Sequence, residues 1–179
     1  MLKIVVPEFE LYDEETNSFN IIPTTTLQLE HSLVSISKWE SKWHKAFMSK
    51  QPKTNEEVND YIKCMTITQN VNPLVYSGLT RENVNAITEY IDDPYTATVI
   101  NRKETSGSRE IVTAELIYYW MVALNIPLEC QKWHLNRLIT FIEVCSIKNK
   151  PPKKMSQKAI ANQNRSLNNS RRSKHNSRG

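Results

Sequence analysis

TLQLEHSLVSISKWESKW, residues 26 to 43, changes its hydrophobic period midway. Leu27 and Leu29 alternate with polar neighbours, the two-residue repeat of a strand with one buried face. Leu33, Ile36, Trp39 and Trp43 recur every three or four residues, the repeat of a helix, and the stripe continues to Phe47 with Lys38, Glu40, Lys42 and Lys45 on other faces. Ser32 stands where a helix of this register needs its N-cap. The stretch therefore predicts a strand that runs into an amphipathic helix, and what precedes and follows it decides the fold class.

Upstream, Leu2, Ile4 and Val6 alternate, Phe9 and Leu11 follow Pro7, and Phe19 and Ile21 resume after the polar cluster DEETNS. Pro23 then bends or ends the strand, because proline cannot donate to a ladder, and residues 24–30 return as a third strand. The first 30 residues read as a small antiparallel sheet built on a hairpin. Downstream the helical period dominates. Thr54 and Glu57 have the spacing of a capping box before Val58, Ile62 and Met65, which predicts a helix over about 55–67. A break at Asn72-Pro73 and a short turn at LVYSGL precede a helix from Thr80 that carries Val84, Ile87, Tyr90 and Ile91 and stops at Asp92-Asp93-Pro94. Residues 95–110 read as a hairpin or surface loop. AELIYYWMVALNI, 114 to 126, is apolar nearly all round, so the helix over about 109–125 is expected to be the central one. After Pro127, residues 128–148 read as a further amphipathic helix. The expected fold is α+β, with a small N-terminal antiparallel sheet packed on a mainly helical body of about five helices.

The chain of 179 residues fits one domain, expected over 1–150, and an extension over 151–179. From Lys148 onward it has ten Lys or Arg and no Asp or Glu, so the net charge of +4 conceals a body with thirteen basic against nineteen acidic residues, a balance of −6. After Pro151-Pro152 the apolar stripe of Met155, Ala159, Ile160 and Leu167 is thin, which predicts a transient helix and then a disordered, basic, Asn/Ser-rich end. Such an arm suits docking to an acidic protein or nonspecific contact with nucleic acid, and the absence of aromatics from 148 on removes base stacking from its repertoire. No apolar run reaches the roughly 20 residues of a membrane span, and the N-terminus lacks the order of a signal peptide, so a cytoplasmic protein with no membrane partner is expected. Cys64, Cys130 and Cys145 then read as reduced thiols.

ECQKWH, 129 to 134, raises the question of chemistry. If it is helical, Cys130 and His134 share a face. A structural zinc site needs a second tight pair of ligands, which His31, His44, His175, Cys64 and Cys145 do not supply, and no nucleophile motif surrounds Cys130. The simpler reading makes ECQKWH the start of an amphipathic helix, with Trp133 on the preceding helix and His134 near the surface or against Glu115. Gly78, Gly107 and Gly179 stand alone, so there is no phosphate loop, and no Gly-x-Ser-x-Gly or His-Glu-x-x-His motif occurs. No cofactor and no enzymatic activity are expected.

TLQLEHSLVSISKWESKW (26 to 43), TAELIYYWMVALNIPLECQKWHLNRL (113 to 138) and NKPPKKMS (149 to 156) resemble small proteins encoded in the structural modules of tailed bacteriophages and prophages, some of which look like tail assembly chaperones. The resemblance runs nearly end to end. It implies a noncatalytic factor of the host bacterial cytoplasm that holds the tape measure protein, or another tail protein, soluble until tube subunits polymerise around it. It leaves as rivals a structural virion protein such as a neck or tail-completion subunit, and a nucleic-acid-binding module acting through the tail. Self-association is a further expectation. A chaperone of a long helical protein needs an apolar surface with aromatic anchors. The candidates for partner binding are Trp39, Trp43, Trp120, Trp133 and His134 in the body and Lys153, Lys154, Arg165, Arg171 and Arg172 in the tail, with core packing the alternative for each tryptophan.

Overall fold

The computed structural model describes residues 1–13, 17–100, 111–150 and 156–175. The expected sheet is present as four strands, β1 (Leu2–Val6), β2 (Phe9–Asp13), β3 (Ser18–Ile22) and β4 (Thr25–Leu29), which pair as β1 with β4 and β2 with β3. Leu2 faces Leu29, Val6 faces Thr25 and Phe9 faces Ile22, so one register runs the length of a single bent ribbon. Its interruption follows from the sequence. Pro7 falls opposite Thr24 and Pro23 opposite Glu8, so two missing donors at neighbouring levels of the two arms end the ladder. The buried positions shift from Ile4 and Val6 to the half-buried Phe9 and Leu11 across the break, so the two halves present opposite parities to the protein. The half-buried ring of Phe9 reaches the 3₁₀ turn Pro73–Gly78, where a Cβ added to Gly78 would lie 2.2 Å from its Cε1. Glycine is required there by close approach rather than by its backbone angles.

β4 continues into α1 (Leu33–Trp43), capped by Ser32, whose hydroxyl accepts from the Ser35 amide at 3.3 Å. The helix ends four residues before the stripe does. His44 turns into the left-handed region (φ 52°), and Phe47 returns to the core through the following loop, where its amide donates to Glu40 Oε1 at 2.7 Å. α2 (Asn55–Met65) begins with the expected capping box, and both bonds form: Glu57 N to Thr54 Oγ1 at 3.2 Å and Thr54 N to Glu57 Oε2 at 2.8 Å. α3 (Arg81–Asp92) follows its Thr80 cap. Residues 95–100 are irregular, and residues 101–110, with the rest of the expected hairpin or loop, lie outside the described residues.

Two expectations are corrected downstream. α4 (Ala114–Ala123) is not central: it buries Ala114, Ile117 and Met121 and leaves Tyr119, Val122 and Ala123 exposed. Residues 128–148 do not form one helix. Leu128–Lys132 is a 3₁₀ turn, Trp133 is extended, and α5 runs from Leu135 to Lys148, because Pro127 imposes the turn and residues 32 and 134 pair as an antiparallel bridge. The core of the unit Met1–Ile147 gathers Leu27, Leu29, Leu33, Ile36, Trp39, Ile62, Met65, Ile117, Met121, Leu135 and Leu138, each less than 2% exposed. Burying a side chain of this size contributes about 1.5–3 kcal/mol.

The second unit, Lys148–Gly179, contains α6 (Gln157–His175). A transient helix is expected in the tail, and 19 residues form one helix there with no buried residue, while the expected disordered end falls on 176–179, outside the described residues. Ser156 caps it by accepting from the Ala159 amide at 3.2 Å, and neither glycine nor proline interrupts the segment. Local terms support it, and none of its residues is buried. Among the described residues, no helix is long and apolar enough to cross a membrane.

Candidate functional site

The sequence put Trp39, Trp43, Trp120 and Trp133 forward as partner anchors, and the structure uses two of them to clasp α1 to α2. Trp39 is 1% exposed and its indole N–H donates to the Glu57 carbonyl at 2.9 Å. Trp43, half-buried, donates to Asp60 Oδ2 at 2.9 Å. Lys42 and Lys45 close the same seam as ion pairs with Asp60 and Glu57. Trp133 is half-buried beneath the Arg137 guanidinium, 4.4 Å from the ring centroid, and beside Phe141. Trp39 is therefore core, and Trp43 and Trp133 are occupied within the body. Trp120 is half-buried against the core at the border of the exposed α4 face.

Cys130 and His134 do not share a helix face, since one lies in the 3₁₀ turn and the other follows the extended Trp133. Cys130 is buried, and burial, reinforced by the Glu129 charge, pushes its thiol pKa up, away from the thiolate needed of a nucleophile or ligand. His134 is not near the surface or against Glu115 but 3% exposed within a ring of aromatic groups. Its Nε2–H donates to the Tyr90 carbonyl at 2.9 Å, Tyr95 stacks on it at 4.7 Å, and the His31 ring lies 5.1 Å away, edge to face. His31 is itself 2% exposed, with Nδ1 2.6 Å from the Tyr61 hydroxyl. Tyr90 adds a hydrogen bond to Glu30 at 2.7 Å, and the Leu135 amide donates to the His31 carbonyl at 2.8 Å, so the cluster joins the β4–α1 junction to α2, the end of α3 and the start of α5.

The electrostatics of this cluster favour neutral imidazoles. Burial and the neighbouring His134 hold His31 down at a pKa of about 3, and burial also lowers His134. With Nε2–H committed to the Tyr90 carbonyl, Nδ1 of His134 carries the lone pair, and it is buried without a hydrogen-bond partner. Sequence reasoning missed the pair because His31, Tyr61, Tyr90 and His134 come from four separated segments. Among the described residues, no group of three or more His, Cys, Asp or Glu could hold a metal ion.

Two further features remain on the surface of the body. An open depression is lined by Glu40, His44, Lys45, Thr113 and Glu115. The Glu40 carboxylate is committed there to structure: one oxygen accepts from the Phe47 amide and the other from the Ala114 amide at 2.7 Å, which caps α4 with a charge at its positive end. The second feature is the outer face of α4, where Tyr119 is 66% and Val122 67% exposed, flanked by the half-buried Leu116 and Trp120. Of the tail candidates, Arg165, Arg171 and Arg172 are exposed on α6, while Lys153 and Lys154 lie outside the described residues.

No family model matches the chain, and comparisons with curated proteins and with solved structures find no match.

Proposed function

We propose that the protein is a noncatalytic assembly factor of phage tails, which holds the tape measure or another helical tail protein through the outer face of α4. The observation that carries the binding mode is a mismatch. AELIYYWMVA is apolar nearly all round, with Glu115 the one charge and exposed between Tyr119 and Val122, yet the body fully buries only Ala114, Ile117 and Met121. A helix that needs one apolar face for its own packing and carries a second has a face to offer a partner. Tyr119 and Val122, one turn apart, suit the apolar stripe of a partner helix, and each would contribute about 1.5–3 kcal/mol when covered. Trp120 at the border supplies an aromatic edge. The phage setting rests on the sequence resemblance, which also puts the encounter in the host cytoplasm before the tail tube forms.

The test is co-expression with the tape measure protein encoded beside it. The soluble yield of that protein should rise severalfold when this chain is present. Unchanged yield would overturn the reading, and stoichiometric recovery of this chain from purified virions would replace it with that of a structural subunit.

A further inference from the structure

The 19 residues of α6 include Lys158, Arg165, Arg171, Arg172 and Lys174 and not one Asp or Glu, and no side chain among them is buried. A helix of this length extends about 28 Å and is marginal alone in water, so something must offset both its ordering and the mutual repulsion of its charges. The charges are arranged. Lys158, Arg165 and Arg172 are spaced seven apart, which stacks them on one face at intervals of about 10.5 Å. Asn162, Ser166, Asn169 and Ser173 recur at four, three and four residues and form a second stripe alongside.

This pattern discriminates among partners. A helix that docks into a protein groove needs apolar anchors at three- and four-residue spacing, and α6 has only Ile160 and Leu167, seven apart. Single-stranded nucleic acid is gripped by stacking, and α6 has no Phe, Tyr or Trp, its one ring being His175 at the last position. The deep, narrow major groove of duplex RNA does not admit side chains. The major groove of B-form DNA, about 12 Å wide, admits an α-helix, with cations taking phosphates and amide or hydroxyl side chains reaching base edges. We propose that α6 is a DNA-binding helix that lies in the major groove of duplex DNA, with Lys158, Arg165 and Arg172 on the phosphates of one strand and the Asn/Ser stripe turned to the bases. Phosphate contact removes the charge repulsion, so binding and helix formation reinforce one another. This activity is independent of the tail-protein contact proposed for α4.

The experiment is fluorescence anisotropy of the full chain with a 20-base-pair mixed-sequence DNA duplex (about two turns of helix) across a series of salt concentrations, with circular dichroism on the same samples. With up to five phosphates neutralised, log K should fall against log salt with a slope of up to about −4.5, and helicity should rise on binding. Replacing Lys158, Arg165 and Arg172 together by Gln should weaken binding at least about tenfold and flatten the slope by about 2.7. Because α6 buries nothing, these changes leave the body folded, which its unfolding midpoint checks. The decisive variant keeps the charge: Asn164→Arg with Arg165→Asn moves one cation off the stripe and should weaken binding several-fold. Binding of that variant equal to the natural chain would reduce the effect to net charge and overturn the proposal. So would equal affinity for duplex RNA or polyglutamate, or no DNA binding at low salt.

Discussion

α1 and α4 are helices of 11 and 10 residues that cover the same core from different sides, and they treat their surfaces oppositely. α1 sorts its residues: Leu33, Ile36 and Trp39 go inward, lysines go outward, and Trp39, Lys42, Trp43 and Lys45 tie it to α2 by direct contacts. α4 places Ala114, Ile117 and Met121 inward and spends Tyr119 and Val122 on solvent. The comparison teaches that apolar content is not burial. Where apolar content exceeds what intramolecular packing uses, the surplus marks a surface for something else.

The comparison breaks most visibly on the α1 side. Trp39→Ala removes a fully buried ring and leaves the Glu57 carbonyl without its indole donor, and it should cost about 3–5 kcal/mol in a urea unfolding curve. The His31–His134 junction behind α1 should make stability depend on pH. Both imidazoles have folded pKa values below the unfolded value of about 6.5, His31 at about 3, so between these values the unfolded chain binds more protons than the folded one. Stability is therefore fully present above about pH 6.5 and falls as pH drops toward 3, by about 1.4 kcal/mol per pH unit for His31, with His134 acting in the same direction. His31→Gln should flatten that slope by about one proton's worth, measured as the unfolding midpoint between pH 7 and pH 4.5. At the ribbon, Gly78→Ala forces a methyl against Phe9 and should cost about 1–3 kcal/mol, a cost that Phe9→Ala in the same chain should partly relieve by removing the clash. On the α4 side the effect should be small: Tyr119→Glu with Val122→Glu should change stability by no more than about 1 kcal/mol, about 0.5 for each surface substitution, with part of it from the nearby Glu115.

The sheet, α1 and the capping box of α2 were legible in the sequence because each is set by neighbours a few residues apart: alternation in Leu27 and Leu29, the stripe from Leu33, the pair Thr54 and Glu57. The bend in the ribbon was half legible. Pro23 could be seen to end a strand, but that Pro7 falls within one residue of it across the two arms depends on register. What local pattern could not supply was context. The exposure of Tyr119 is decided by how many elements surround α4, and the burial of His134 by residues 39, 44 and 103 positions away, Tyr95, Tyr90 and His31. ECQKWH misled for the same reason: its spacing suits a helix, but Pro127 and the bridge between residues 32 and 134 hold it as a turn and an extended step. The puzzle of Cys130 and His134 thus resolves into two separate buried positions, one in the 3₁₀ turn and one in the aromatic cluster.

The central claim is that the α4 face belongs to a partner and not to the fold. It is tested most directly with the Tyr119→Glu/Val122→Glu chain, by measuring its urea midpoint and, in parallel, the soluble yield of co-expressed tape measure protein. A nearly unchanged midpoint with the yield reduced to that of tape measure protein expressed alone is the expected result. A midpoint lowered as far as in Trp39→Ala would show that the face is needed for folding, and an unchanged yield would show that it is not where the partner binds.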